Sequence, residues 1–201
     1  GDYGLWANTE GMENVAISGN GSLYKNTTGS QNIAIGAASL YNNESGNYNV
    51  AIGRSSLYSN TASNNVGIGH ESLKSNTTGT NNVGVGYQSL QANTTGNYNT
   101  ASGYRSLYSN TTGTKNIAIG HGAYDNADTE HNNLAIGWSA LGGAINGGEY
   151  NIAIGNYSLA ANTTGDHNIG IGYGSLDDNT TGNENVALGG YTLYRNTTGS
   201  N

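Results

Sequence analysis

One short segment concentrates the side chains that most often bind metal ions. Residues 121–132 contain Asp125, Asp128, Glu130 and His131. Carboxylate oxygens are the ligands that a hard cation such as calcium prefers. The alternative is a solvated acidic loop that binds nothing. We favour the solvated loop and predict no metal ion and no cofactor.

Catalytic patterns are weak in the rest of the sequence. Serine recurs at one repeated position and the four histidines are scattered, so no Ser/His/Asp set stands out. The Gly-Ile-Gly piece at residues 67–69 lacks the strand-to-helix context that phosphate binding needs. Asp177 and Asp178 are expected on a solvated face. The sequence therefore predicts a protein that is not an enzyme.

A row of aromatic residues is the third candidate site. The residue that follows a recurring glycine is variable and often aromatic, so we expect it to point outward. Exposed rings offer broad amphipathic contact to a sugar or a protein. Alternatively, the rings shield the interior or line a contact between chains, and both interpretations stay open. The row consists of His70, Tyr87, Tyr104, His121, Trp138 and Tyr173.

A single repeat positions all of these residues. The motif Asn, β-branched residue, Ala or Gly, β-branched residue, Gly returns eleven times at a nearly constant spacing, which is typical of an array. We predict that the first asparagines stack and that their amides hydrogen-bond along the axis, with a plain turn role as the alternative. These asparagines are Asn14, Asn32, Asn49, Asn65, Asn82, Asn99, Asn116, Asn133, Asn151, Asn168 and Asn185.

The repeat predicts an all-β parallel β-solenoid of about 17 residues per coil, with coils stacked at about 4.8 Å. Val or Ile on both sides of a small residue indicates a strand whose Val/Ile face is buried. Ser-Leu is expected to begin a second extended piece with a buried leucine, and Asn-Thr-Thr-Gly to form the return turn. We treat residues 1–201 as one repeat domain with a partial repeat at 1–13. Thr100 and Ser102 replace both aliphatic residues of one coil and are expected to form a polar defect in the core.

The repeat also predicts a homo-oligomer. A few aliphatic residues per coil bury little apolar surface against the cost of ordering about 17 residues. Further burial against the same chain would compensate. We expect the small third residue of each motif to face away from the Val/Ile side, where it would let another copy approach closely.

Composition restricts the partners further. The chain has a net charge of −7 and six basic residues, which argues against binding to nucleic acid or to anionic membranes. No apolar run approaches the ~20 residues of a membrane span. There is no cysteine. The sequence begins and ends inside a repeat, so we interpret it as a segment of a longer fibre.

The repeat resembles known fibrous proteins. Asn-x-Ala-Ile-Gly-x-x-Ser is similar to the head repeat of the trimeric autotransporter adhesins (YadA-like heads). The longer form with Ser-Leu-Tyr-x-Asn-Thr-Thr-Gly resembles the shafts of bacterial and phage tail-fibre proteins. The resemblance implies a left-handed β-roll in an elongated homotrimer, outside a cell or on a phage particle. The repeat here is longer than is typical of the adhesin heads, so a head-specific ligand does not transfer.

We therefore expect a structural or adhesive fibre segment that presents or mediates cell-surface adhesion. Its partners would be further copies of itself and a glycan or protein on a host or prey cell. One alternative is a passive spacer of a phage tail fibre whose binding tip lies elsewhere. A less favoured alternative is an ice-binding solenoid, based on the threonine rows. The irregular segments 121–132 and 142–150 are where we expect any specialised patch.

Overall fold

The computed structural model describes residues 3–17, 20–143 and 145–200. Across these ranges the chain contains eleven three-residue strands and no helix, with one strand in each repeat. The predicted domain of residues 1–201 extends slightly beyond this part, because residues 1, 2, 18, 19, 144 and 201 lie outside it. The strands are β1 Val15–Ile17, β2 Ile33–Ile35, β3 Val50–Ile52, β4 Val66–Ile68, β5 Val83–Val85, β6 Thr100–Ser102, β7 Ile117–Ile119, β8 Leu134–Ile136, β9 Ile152–Ile154, β10 Ile169–Ile171 and β11 Val186–Leu188.

All eleven strands form one parallel sheet in sequence order. Each strand pairs with the equivalent strand of the next repeat, so that Ala34 lies beside Ala51. Each coil therefore corresponds to one repeat, and like residues stack in columns parallel to the long axis. The prediction of an all-β parallel β-solenoid is confirmed.

The interior of the coil is narrow. The prediction that the Val/Ile face of each strand is buried was wrong. The small middle residue of each strand points inward: Ala34, Ala51 and Ala118 are fully buried, as is the leucine row. A Cβ added at Gly67 would lie 2.5 Å from Ser56 Oγ and 3.2 Å from Leu57 Cγ. Only a hydrogen or a methyl group fits opposite leucine in so thin a coil. The flanking Val and Ile residues therefore point outward.

The second half of each repeat is a turn, so the predicted second extended piece was also wrong. Two consecutive turns close with hydrogen bonds from Ser72 N–H to Gly69 O (3.4 Å) and from Asn76 N–H to Leu73 O (3.1 Å). Leu73 has φ +52°. This left-handed conformation turns the leucine inward while its N–H still bonds to Ser89 O in the next coil (3.0 Å).

The glycine that closes each strand is required by the stacking of the coils. Gly86 has φ +132°, and a Cβ at this position would lie 2.3 Å from the carbonyl oxygen of Gly103 in the next coil. Non-glycine residues are strained in this conformation, and here the clash is with backbone, which cannot move aside. The equivalent glycines from Gly36 to Gly189 have φ between +115° and +139°.

Strand β6 does not form the predicted polar defect in the core. The side chains of Thr100 and Ser102 point outward with the Val/Ile rows and are partly exposed, whereas Ala101 fills the interior. The cause is the one already given for the Val/Ile residues: in every strand the middle residue occupies the narrow interior, so the first and third residues point outward.

Candidate functional surfaces

The outward side of the sheet is an apolar face, which we call the aliphatic face. It consists of the first and third residues of the eleven strands, and all of them except Thr100 and Ser102 are Val, Ile or Leu. Ile119 is 41% exposed and Leu188 is 65% exposed. Eleven strands of three residues cover about 50 Å by about 10 Å, or on the order of 500 Å². An apolar patch of that size is comparable to the largest patches on monomeric proteins, which are often functional.

The predicted aromatic row is a continuous column on another side of the coil. The six predicted residues are joined by Tyr157 and Tyr191, which sequence reasoning missed. These two tyrosines follow Asn156 and Gly190, so each is one residue later than the rest of the row. They could have been found by looking for aromatic residues two positions after the recurring glycine as well as one position after it.

Most of the predicted rings stack on one another. Ring centroids are 5.3 Å apart for His70 and Tyr87, 5.3 Å for Tyr87 and Tyr104, and 4.8 Å for Tyr104 and His121. The planes of these pairs are within 14° of parallel. Tyr87 and Tyr104 are therefore covered on both faces by neighbouring rings, whereas His70 and His121 each stack on one ring.

The rings tilt from Trp138 onward. Trp138 lies at 73° to His121 and 39° to Tyr157, and it is 52% exposed. Tyr173 lies at 72° to Tyr157 and 59° to Tyr191. Trp138 and Tyr173 are therefore the predicted ligand residues that stack in parallel with no neighbouring ring.

The first asparagines of the repeats form a buried column. In all ten neighbouring pairs the side-chain Oδ1 accepts the backbone N–H of the next asparagine at 2.8–3.0 Å. The Nδ2 group donates to a carbonyl at the far end of the same coil, as from Asn32 to Gly46 O (2.8 Å). Direct amide-to-amide bonds occur in a few pairs, such as Asn49 to Asn32 (3.1 Å). The predicted column therefore bonds mainly from side chain to backbone.

A second buried asparagine column was missed from the sequence. Where two turn asparagines follow one another, Nδ2 of one usually donates to Oδ1 of its counterpart in the preceding coil, as from Asn93 to Asn76 (2.7 Å) and Asn110 to Asn93 (2.8 Å). This is the amide-to-amide ladder that was expected of the other row. Its residues had been interpreted only as turn formers, and their regular spacing was the available signal.

The irregular segments interrupt this second column, because side chains of other sizes replace two of its asparagines and one core leucine. Ala127 and Ile145 take the places of two ladder asparagines, and both are buried. Tyr124 takes the place of a core leucine and is fully buried. Its hydroxyl accepts a hydrogen bond from Asn133 Nδ2 (2.6 Å). A larger ring thus compensates for the smaller Ala127 in the same coil.

The acidic candidates make bonds within this rearranged region. The Glu130 carboxylate accepts the backbone N–H groups of Asp128 (2.9 Å) and Gly147 (3.0 Å). His131 Nδ1 accepts the N–H of Thr114 (2.9 Å). Asp128 is bonded to the Thr111 hydroxyl. In the described part of the chain, no three His, Cys, Asp or Glu residues come together as a metal-binding group.

Some ionisable groups are perturbed by their surroundings. Burial raises the pKa of Asp125, and the positive charge of Arg105 partly offsets this effect. Burial, with the charge of Glu130, raises the pKa of the Tyr124 hydroxyl far above its ordinary value. The Glu71 carboxylate accepts a hydrogen bond from Lys74 (2.7 Å), which lowers the pKa of Glu71.

Comparison with known proteins adds no relative. No protein-family model matches the chain, and neither a curated protein nor a solved structure matches it. In the ranges that the structure describes, no helix is long and apolar enough to cross a lipid bilayer. The function is therefore inferred from the surfaces of the fold.

Proposed function

We propose that this chain is a segment of an extracellular fibre in which three copies associate through their aliphatic faces. The fibre forms, or holds out, an adhesive surface on a cell or a phage particle. The observation that carries this proposal is the aliphatic face, on which every outward strand residue except Thr100 and Ser102 is Val, Ile or Leu. The resemblance to adhesin heads and tail-fibre shafts supports the number of three copies and a left-handed coil.

A second copy of the same chain fits this face better than an unrelated protein would. The face repeats with every strand, at about 4.8 Å, along about 50 Å. A partner with a different period would match it over only part of that length. A further copy has the same period, so every strand can be covered by the same contact.

An oligomerisation assay tests this interface. Sedimentation should give three times the chain mass of 20.7 kDa. Replacing Ile119 and Ile136 by lysine should dissociate the assembly, because each lysine places a charge among apolar side chains. Tyr48 and Tyr98, both 59% exposed, lie outside the aliphatic face, and their replacement by lysine is the matched control. A parent chain that sediments as a single copy would overturn the proposed interface.

The aromatic column supports adhesion only in part. Trp138 and Tyr173 offer tilted rings, which suit contact with a sugar or a protein. The stacked rings from His70 to His121 cover one another's faces, and this favours the alternative of a passive spacer. Binding to host surfaces or glycan arrays should fall more for Trp138→Ala than for Tyr104→Ala. Undiminished binding by both variants would favour the spacer.

Ice binding has less support. The first threonine of most turns uses its hydroxyl within the fold, as Thr77 does in donating to Thr94 O in the next coil (3.0 Å). These hydroxyl groups are therefore not free to form a regular outward row. A thermal-hysteresis measurement tests this alternative, and we expect no hysteresis.

A further inference from the structure

The aliphatic face contains one polar strand. Thr100 and Ser102 of β6 stand where every other strand has two aliphatic residues. The hydroxyl groups of both residues make no hydrogen bond to any other residue that the structure describes, and both side chains are partly exposed. The neighbouring strands place Val83 and Val85 on one side and Ile117 and Ile119 on the other.

A uniform repeat leaves the alignment of its copies undefined. If every strand presented the same two aliphatic residues, a copy shifted by one coil, or about 4.8 Å, would make nearly the same contacts. Repetitive interfaces commonly avoid such shifts with a polar residue that pairs only with itself, as a buried asparagine does in coiled coils. Strand β6 has the composition that such a role requires.

We infer that Thr100 and Ser102 set the axial register of the homo-oligomer. This inference rests on the proposed association of copies through the aliphatic face. In register, the hydroxyl groups of neighbouring copies meet one another, and each hydroxyl can both donate and accept a hydrogen bond. After a shift by one coil, they meet Val83 and Val85 or Ile117 and Ile119 and lose these partners. A buried hydroxyl without a partner is disfavoured, so the shifted arrangement is rejected.

Cysteine cross-linking tests the register directly, because the chain has no cysteine of its own. One tagged copy carries Ile136→Cys and another carries Ile154→Cys, which are paired residues of adjacent strands. Copies that both carry Ile136→Cys report the in-register arrangement, and mixed copies report a shift by one coil. The other outward row supplies a second reporter pair of the same design.

In the parent chain, the mixed pair should cross-link about tenfold less than the matched pair, the ratio expected for one unsatisfied buried hydroxyl. In the variant Thr100→Val with Ser102→Ile, the two yields should become comparable while the oligomer mass stays the same. Adding Val66→Thr and Ile68→Ser to this variant moves the polar strand to β4. The yield from the mixed pair should then fall back to the parent ratio.

The possible failures are distinguishable. A parent chain that sediments as a single copy overturns the proposed function and this inference together. An oligomer of unchanged mass whose mixed pair stays poorly cross-linked in Thr100→Val with Ser102→Ile overturns the inference alone. The inference is also overturned if the polar strand moved to β4 does not restore the parent ratio.

Discussion

The second asparagine column yields the sharpest prediction about the stability of the coil. Asn93 donates from Nδ2 to Asn76 Oδ1 (2.7 Å) and to Gly96 O (3.1 Å), and its own Oδ1 accepts from Asn110 (2.8 Å). The substitution Asn93→Asp removes the donor and keeps the shape. It leaves Asn76 Oδ1 unsatisfied, and the new carboxylate faces two acceptors in a buried position.

The expected loss is large. An unsatisfied buried acceptor costs about 1–3 kcal/mol. Burying a carboxylate without donors on those sides costs several kcal/mol more, unless the group becomes protonated. Together these terms predict a loss on the order of 4 kcal/mol in the free energy of unfolding. The loss should shrink in acid, because a protonated carboxyl group can again donate to Asn76.

Asn97→Asp is the matched control. Asn97 Oδ1 accepts the N–H of Thr80 (2.7 Å), and an aspartate keeps this acceptor. Its Nδ2 bonds only to the exposed Thr95 O (2.9 Å). Asp166 already fills this position in a later coil, where it accepts the N–H of Glu149 (2.8 Å). We expect a loss of about 1 kcal/mol or less.

Denaturant unfolding of both variants at equal chain concentration is the measurement, since association contributes to apparent stability. The reasoning about the buried ladder is refuted if Asn93→Asp and Asn97→Asp lose the same free energy. It is refuted equally if the loss in Asn93→Asp does not change with pH.

Four further substitutions test other parts of the fold. Gly103→Ala should lower the free energy of unfolding by about 3 kcal/mol, because at φ +139° its Cβ would lie 2.3 Å from a carbonyl oxygen of the next coil. Gly190→Ala is the control, since its Cβ would be no closer than 3.8 Å to other atoms. Thermal unfolding should show little effect of Gly190→Ala. Asn81 is exposed with φ +58°, so Asn81→Val should cost about 1–2 kcal/mol and Asn81→Gly should be nearly neutral by the same assay. Because the pKa of Glu71 is lowered, Glu71→Gln should lower stability at neutral pH. This difference should vanish as the pH falls below 4.5, the ordinary pKa of glutamate, and through the lowered pKa of Glu71 in the folded chain. Because the pKa of Asp125 is raised, Asp125→Asn should instead raise stability at neutral pH, and this gain should vanish below pH 3.8, the ordinary pKa of aspartate. Denaturation series across pH measure both effects. Stability differences of the same sign for Glu71→Gln and Asp125→Asn would contradict the assigned pKa shifts.

Much of the architecture was predictable from the spacing of a few residues. The regular return of Asn14 and its ten counterparts, with β-branched residues at alternating positions, indicated a parallel solenoid with one coil per repeat. The glycine that recurs after each strand is the residue type that tolerates positive φ, and Gly86 has φ +132°. These features depend on local conformation and on period, which a single sequence carries.

Other features depended on how the coil closes in three dimensions. Alternation shows that Val66 and Ile68 share one side of a strand, but the width of the coil decides which side is inside. The interior opposite Leu57 has room only for Gly67, so the two aliphatic residues point outward and form the aliphatic face. The same closure turned the leucine segment into left-handed turns and placed Thr100 and Ser102 on the surface. The angle between the rings of His121 and Trp138 likewise depends on their packing. Side-chain type and spacing are local properties, whereas the available volume and the orientation of neighbours exist only once the chain has closed on itself.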